Sequence, residues 1–279
     1  VTDATTAYVN RYLDFFGPQS LKGMRVGLYE HSTVGRDVLY KIFTQLGVEV
    51  VCLGRSELFI PVDTEVLPEE TRQQIEGWMQ EHDLEVVISA DGDCDRPLFV
   101  VRNAEGHAAS IHGDRLDIMA AKELNADTVV VTASCNTGVE LCGFFSHVIR
   151  TKIGSPYVIA KMNEIARTKP DACLAGYEAN GGFLLRTDVT RRGHTLRALA
   201  TRDAVLPLIL VLAAAHRHSG PVHGLFEKLP QRYTASALID LPSEKSQQRL
   251  TLYHSGMGGE DIRRASQDFS SLGLGPVSH

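Results

Sequence analysis

Six consecutive residues, Asp91-Gly92-Asp93-Cys94-Asp95-Arg96, concentrate more chemistry than any other stretch of the chain. Carboxylates at i, i+2 and i+4 offer hard oxygen ligands, the kind that suit Mg²⁺ or Ca²⁺. In a straight strand, alternate residues stand about 6.5–7 Å apart. Oxygens bound to one Mg²⁺ sit only ~2.1 Å from it. The segment must therefore curl around an ion, and Gly92 is expected to permit the curl. Arg96, beside the acids, can hold a phosphate or offset charge during phosphoryl transfer. The plainer alternative is a solvated acidic turn, since Asp-Gly is a common turn pair. Three acids in register directly after an apolar strand are a narrower pattern than that. An EF-hand does not fit: its glycine and glutamate positions are here Arg96 and Arg102.

Other constellations are weaker. In Gly176-Tyr177-Glu178-Ala179-Asn180-Gly181-Gly182, a carboxylate and an amide two residues apart can each hydrogen-bond a vicinal hydroxyl, as a grip on a sugar ring requires. A glycine-rich hairpin turn leading into Phe183-Leu184-Leu185 explains the same residues about as well. Thr132-Ala133-Ser134-Cys135-Asn136-Thr137 sets Ser134 between a strand and a helix, where a nucleophile or phosphate-binding turn can sit. No base adjoins it in sequence, and Asn136 or Ser134 as an ordinary helix N-cap is the better reading. Arg191-Arg192-Gly193-His194 can meet a phosphate but fits a solvated loop more readily. The eleven histidines are scattered. His216 and His218 have no third ligand nearby. The stretch His31-Ser32-Thr33-Val34-Gly35-Arg36 lacks both the dinucleotide glycine pattern and the Walker lysine.

The elements that must position these residues alternate strand and helix. Residues 24–30 read as a strand, 35–46 as a helix stopped by Gly47, and 48–53 as a second strand, a βαβ unit suited to a parallel sheet. A helix opens at Pro68-Glu69-Glu70, with acids at its positive end, and carries Ile75, Trp78 and Met79. Residues 85–90 (EVVISA) form the near-continuous apolar run of a strand buried on both faces, and the acidic loop follows at its carboxyl end, where open α/β sheets bind ligands. A second unit starts near Gly113-Asp114, with Asp114 capping a helix to Leu124. Then come a strand at 128–131, a helix at 137–145, a short strand at 148–151, a helix at 157–167 and a strand at 172–175. An apolar helix with Pro207 near its start follows Arg202. Gly220-Pro221 marks a linker, and the tail contains a strand at 235–241 and a polar helical stretch. The expectation is an α/β chain of two consecutive βα-alternating domains with mixed, largely parallel sheets, at 1–110 and 111–218. A partial third unit occupies 219–279.

Composition bounds the rest. The chain has 279 residues, 43% apolar and 22% charged, with a net charge of −6. A size and balance of this kind support buried cores. The negative charge argues against nucleic acid as main partner, because phosphate backbones need a basic face. No apolar run reaches the length of a membrane span, so no membrane partner is expected. Cys52, Cys94, Cys135, Cys142 and Cys173 form no C-x-x-C pair, which points to a reducing cytoplasmic setting.

Taken together, the residues resemble the α-D-phosphohexomutase family and, within it, the bacterial phosphomannomutase/phosphoglucomutase branch. The family's metal loop reads D-G-D-x-D-R, as at 91–96. Its sugar-recognition loop reads G-E-x-S/N-G, and Tyr177-Glu178-Ala179-Asn180-Gly181 departs only at the first position. Thr151-Lys152-Ile153-Gly154-Ser155 resembles the stretch that contributes substrate contacts before a helix. The resemblance covers nearly the whole chain. It implies Mg²⁺ on Asp91, Asp93 and Asp95, electrostatic assistance from Arg96, and substrate contacts from Glu178, Asn180, Gly154 and Ser155. It further implies hexose phosphate and hexose bisphosphate as partners, with a phosphoryl group relayed through a phosphoserine.

Family enzymes have four domains, and this chain resembles the second and third with the start of the fourth. The T-A-S-H-N-P serine loop would then precede Val1, and the R-P-S-G phosphate loop would follow His279. Ser134 lies after the metal loop, on the wrong side of it for the family serine. The isolated chain is therefore expected to bind Mg²⁺ weakly and to lack mutase activity. Two rivals stand beside this reading. One is a haloacid-dehalogenase-like phosphotransferase with Asp91 as nucleophile, against which Asp95 counts. The other is a non-catalytic phosphosugar- or Mg²⁺-binding module.

Overall fold

Two sheets share one plan: parallel strands at the centre, then a hairpin that turns the chain back on itself. The computed structural model describes residues 3–218 and 220–234, and these belong to one compact unit. The first sheet is preceded by helix α1 (Ala4–Phe16), whose N-cap Asp3 accepts from the Thr6 amide and whose buried face is Val9, Tyr12 and Phe15. There follow β1 (Arg25–Tyr29), α2 (Arg36–Gln45), β2 (Glu49–Leu53), α3 (Glu69–Glu81), β3 (Val86–Ala90), β4 (Pro97–Arg102) and β5 (Ala108–Ser110). Their order is β2-β1-β3-β4-β5. β1 runs parallel to β2 and β3, while β4 runs antiparallel to both β3 and β5. Every residue of β3 is buried, as its unbroken apolar sequence requires. Ala90 pairs with Pro97, so residues 91–96 are the hairpin turn between β3 and β4.

The second sheet repeats the plan. Its elements are α4 (Gly113–Glu123), β6 (Thr128–Thr132), α5 (Gly138–Leu141), β7 (His147–Thr151), α6 (Ser155–Thr168), β8 (Leu174–Tyr177) and β9 (Phe183–Leu185). The order is β7-β6-β8-β9, with β6 parallel to β7 and β8, and β9 antiparallel to β8. Residues 178–182 are the turn between β8 and β9. A two-stranded hairpin, β10 (Val189–Arg191) and β11 (His194–Leu196), follows. The chain then enters α7 (Val205–Arg217) and α8 (Gly224–Glu227).

Helix α7 is apolar on nearly all sides, with buried residues running from Val205 to Ala215. It packs on α4 and touches β4, and one core cluster joins residues of both sheets to it. Burial of a leucine is worth roughly 1.5–3 kcal/mol, so Leu206, Leu208, Leu210 and Leu212, all buried, tie the two halves firmly. Pro207 sits in the first turn of α7, where its missing N–H costs nothing.

Several elements differ from the sequence reading. The helix expected over 137–145 is the single turn α5, because Gly143 adopts a positive φ of 69° and the chain leaves the helix. The strand expected at 172–175 runs on to Tyr177. Asp114 does not cap α4, whose N-cap is His112; its carboxylate instead accepts from the Asn136 amide at 2.6 Å. The expected strand at 235–241 and the rest of the tail lie outside the described residues. No helix among the described residues is long and apolar enough to cross a membrane.

Candidate active site

The β3–β4 turn is organised by its own first carboxylate. Asp91 is 2% exposed. Its Oδ1 accepts from the amides of Asp95 and Arg96 at 3.0 and 3.1 Å, and its Oδ2 accepts from Arg96 Nε at 2.6 Å. The Cys94 amide donates to the Asp91 carbonyl at 3.1 Å. The left-handed residue of the turn is Cys94, with φ 63°. The curl expected at Gly92 is thus made two residues later.

As a result, carboxylate oxygens of Asp91, Asp93 and Asp95 converge to within 4.8 Å of one another. Oxygens on opposite sides of one Mg²⁺ stand ~4.2 Å apart, so rotation of the exposed Asp93 side chain is the cheapest way to close the difference. The donor set fits a hard divalent cation on a further count: Asp95 Oδ1 is buried and has no hydrogen-bond partner. The Arg96 terminal nitrogens make no protein hydrogen bond among the described residues, and Arg96 is held only through Nε. They are free to receive phosphate oxygens.

The stretch 31–36 props this turn from behind. The Val34 amide donates to the Gly92 carbonyl at 3.1 Å, and buried His31 contacts the Ala90 carbonyl through Nε2 at 2.8 Å. Burial pushes the His31 ring below its ordinary pKa, so it serves as a neutral donor. Gly35 lies flat against Cys94: a Cβ at Gly35 would stand 2.2 Å from the Cys94 sulfur. Burial pushes the Cys94 thiol up to about 12, which keeps it a packing group and not a soft metal ligand.

The β8–β9 turn is positioned by contacts distant in sequence. Gly181, with φ 89°, lies against Pro97, and a Cβ on Gly113 would meet the Gly181 nitrogen at 2.4 Å. Thr64 Oγ1 donates to the Asn180 carbonyl at 3.2 Å. Within the turn, Asn180 Oδ1 accepts from the Gly182 amide at 3.1 Å, and the Gly181 amide donates to the Glu178 carbonyl at 3.0 Å. The glycine-rich hairpin and the polar pair Glu178/Asn180 are therefore one and the same structure.

Arg202 joins the two turns. Its guanidinium pairs with Asp95 Oδ2 and meets Glu178 Oε2 at 3.5 Å. Burial pushes the Asp95 and Glu178 carboxyls above their ordinary pKa, and Arg202 pulls both back. Gly182 makes room for the stem, since a Cβ there would stand 2.6 Å from Arg202 Cδ. Nothing in the local sequence Thr201-Arg202-Asp203 singles Arg202 out; the contact exists only because α7 begins beside both turns.

The remaining expected residues sit apart from this cluster. Gly154 and Ser155 lie at the carboxyl end of β7, where Gly154 has φ 121° and Ser155 opens α6. β7 is separated from β8 by β6. Ser134 is hydrogen-bonded to Thr132 Oγ1 at 3.0 Å, and Asn136 Oδ1 accepts from the Gly138 amide at 2.7 Å, but neither is the N-cap expected of them: that position of α5 is Thr137. Arg191 and His194 flank the turn of the β10–β11 hairpin, with Arg191 bound to the Glu123 carbonyl. His216 contacts the Lys22 carbonyl.

Comparison with known proteins accords with this arrangement. Residues 6–106 match the family model described as phosphoglucomutase/phosphomannomutase, alpha/beta/alpha domain II. Residues 112–233 match the model for alpha/beta/alpha domain III. The phosphomannomutase of Salmonella muenchen is 42% identical over 249 residues, which is 89% of this chain and 50% of that protein. A phosphoglucomutase/phosphomannomutase family protein from Burkholderia thailandensis superposes with a TM-score of 0.64 at 20% identity, over 82% of this chain and 47% of that one. The N-acetylphosphoglucosamine mutase of Aspergillus fumigatus, solved in complex with GlcNAc-6P and magnesium, superposes with a TM-score of 0.53 at 14% identity, over 80% of this chain and 53% of that one. These two structural likenesses bear on the fold alone. The chain spans about half the length of the curated relatives it matches. It belongs to the α-D-phosphohexomutase family and carries that family's second and third α/β/α domains.

Proposed function

We propose that the chain supplies the metal-binding and sugar-recognition part of a phosphohexomutase, which interconverts hexose 1-phosphate and 6-phosphate. The observation that carries this reading is the meeting of the two turns. Three carboxylates converge within 4.8 Å, and Arg202 connects one of them to Glu178. Asp91, Asp93 and Asp95 would hold Mg²⁺, the ion present in the fungal mutase complex. When bound, Mg²⁺ supplies electrostatic stabilisation to phosphoryl oxygens. The five cysteines are free thiols, which suits a reducing compartment.

The chain's own residues do the rest. Asp91 fixes Arg96 through Nε and so aims its free nitrogens outward, where they can receive a phosphate. Glu178 Oε2 is buried and has only the long 3.5 Å contact to Arg202, so it retains acceptor capacity that a sugar hydroxyl would satisfy. Asn180 has its Oδ1 engaged, which leaves its NH₂ to donate. An acceptor and a donor two residues apart suit adjacent hydroxyls. They would hold the 3- and 4-hydroxyls, whose placement is usable in both orientations of the sugar. Gly154 and Ser155, at the start of α6, would approach the phosphate from the end of β7, one strand beyond β6. The phosphoserine that exchanges the phosphoryl group would come from another segment of the protein.

Asp91 itself is a poor nucleophile. It is almost fully buried and both its oxygens accept hydrogen bonds. The test is a ³¹P NMR assay of mannose 1-phosphate with catalytic mannose 1,6-bisphosphate and Mg²⁺, run on the complete protein that contains these residues. Mannose 6-phosphate should form, and Asp93→Asn should abolish its formation. An acid-labile acyl phosphate on Asp91 would replace this reading with that of a dehalogenase-like phosphotransferase. The 279-residue chain alone should bind Mg²⁺ weakly and show no turnover.

A further inference from the structure

Resting on that metal assignment, we propose that Arg202 is a resident counter-cation of the site, which competes with the divalent ion for Asp95 and hands its charge to the ligand at Glu178 when the ion arrives. The charges set the terms. Asp91, Asp93, Asp95 and Glu178 gather four carboxylates, against which the guanidiniums of Arg96 and Arg202 stand. Arg96 is committed to Asp91 at 2.6 Å. Arg202 alone spans the gap, with one terminal nitrogen on Asp95 Oδ2 and the other 3.5 Å from Glu178 Oε2. A guanidinium and a divalent ion on the same carboxylate repel each other, and each lowers the other's affinity.

The construction around Arg202 favours movement of the head and not of the backbone. Its neighbour Asp203 is buried and accepts from Tyr8 and Tyr12 hydroxyls at 2.8 and 2.6 Å. Asp203 also accepts from the amides of Val205 and Leu206 at the start of α7. The Arg202 Cα is thereby fixed. The stem passes over Gly182, where any side chain would block it. The side chain is 30% exposed, so its head has solvent into which to turn. Its two partners are asymmetric. Asp95 belongs to the convergent carboxylates that an ion would claim, whereas Glu178 lies outside them. An incoming ion therefore displaces Arg202 from Asp95 and leaves it beside Glu178, where it faces an anionic sugar phosphate. Binding of ion and sugar phosphate is then coupled, each strengthening the other, as linkage requires.

The experiment is Mn²⁺ binding to the 279-residue chain, followed by the electron paramagnetic resonance signal of free Mn²⁺. Arg202→Met and Arg202→Gln should both bind Mn²⁺ more tightly than the unmodified chain, by roughly 5–50-fold. Arg202→Lys keeps the charge and should stay within about twofold of it. Tighter binding by the neutral variants cannot come from damage to the fold, which would weaken it. Equal or weaker binding by both neutral variants overturns the proposal, as does no binding by any of the chains. Asp93→Asn separates the two claims. If it leaves Mn²⁺ binding intact, the metal assignment itself fails. If it removes binding while Arg202→Met matches the unmodified chain, the assignment stands and only the role of Arg202 falls.

Discussion

The two turns of the site are built on opposite principles. The β3–β4 turn is shaped chiefly from within, with the stretch 31–36 packed behind it: Asp91 binds two amides and a guanidinium that all lie within five residues of it. The β8–β9 turn has its own short-range bonds, but its place is set by Thr64, Pro97, Gly113 and Arg202, all far off in sequence. A contrast also exists between individual buried carboxylates. Asp91 has partners for both oxygens. In the third domain, Asp117, on α4, has neither oxygen hydrogen-bonded, the Tyr177 hydroxyl has no partner, and Glu178 Oε2 has only the Arg202 guanidinium at 3.5 Å; in the first turn Asp95 Oδ1 is likewise without a hydrogen bond. A saturated carboxylate reads as a structural post. An unsaturated one beside a turn is stability given up, and at Glu178 the proposed sugar hydroxyl is what would be received in return.

The strongest way to break this comparison is to separate structure from binding within the first turn. Asp93 is exposed, and its side chain makes no hydrogen bond or ion pair among the described residues. Asp93→Ala should change stability by less than about 0.5 kcal/mol and weaken divalent-ion binding by on the order of 100-fold. Asp91→Ala should lose the ion as well, and should in addition cost about 2–4 kcal/mol, because two amides and Arg96 are left without their acceptor. Calorimetric ion titration paired with urea unfolding reads both quantities. Equal stability losses in the two variants would show that Asp91 is not the post of the turn.

The second turn should break from a distance. A Cβ on Gly113 would collide with backbone at Gly181 and Asn180, at 2.4 and 2.6 Å, and backbone cannot swing aside. Gly113→Ala should destabilise by about 1–3 kcal/mol, and should weaken sugar-phosphate binding while leaving the ion affinity within about twofold. An ion affinity that falls in parallel would mean that the two turns are one mechanical body.

Legibility in the sequence follows the same division. The acidic β3–β4 turn is legible as a cluster of converging carboxylates because its three acids, its arginine and the buried strand before it are contiguous. The β8–β9 turn is legible only as one of two equal alternatives, because Glu178 and Asn180 gain their setting from contacts that no local pattern encodes. Arg202 could not be read at all. Its significance depends on α7 starting where β3 and β8 both end, and an arginine before an apolar helix has no periodicity to mark it. Helix α1 escaped notice for a different reason. Its Asp3 cap and its Val9, Tyr12 and Phe15 spacing are ordinary signals, but its apolar face is narrow and largely aromatic beside the plain βαβ pattern that follows. The parallel strands at the centre of both sheets and most of the helices between them were legible, since buried strands such as β3 and β6 demand unbroken apolar runs. The antiparallel strand β4 and the short strands β5, β10 and β11 were not read, the short ones because they carry no such run.

Asp117 offers a pH test of the unsaturated region. Its carboxyl is fully buried on α4, and burial, followed by the nearby Asp114 charge, pushes its pKa well above the ordinary value. The folded state thus prefers the protonated form. The stability tied to this group is complete below the unfolded pKa near 4 and is lost as pH rises toward the folded value. Asp117→Asn removes that loss. The variant should be more stable than the unmodified chain by about 1–3 kcal/mol at pH 7, and the difference should shrink as the pH falls toward 4. Urea unfolding at the two pH values checks it. A difference that does not change with pH would show that Asp117 stays charged in the fold and has a partner not seen among its neighbours.

The smallest expected effect is the most pointed about the first turn. Its glycine is not where the chain bends: the positive φ belongs to Cys94, and a Cβ on Gly92 would touch only Phe59, at an ordinary 3.6 Å. Gly92→Ala should therefore change stability by less than about 0.5 kcal/mol, and ion affinity by less than about twofold. Gly35→Ala, two strands away in sequence, should do more harm, since its Cβ would press on the Cys94 sulfur at 2.2 Å and tilt the turn that Cys94 bends. If the order of the two variants came out reversed in thermal melting, the curl would lie at Gly92 after all, and the stretch 31–36 would be a bystander to the metal turn instead of its support.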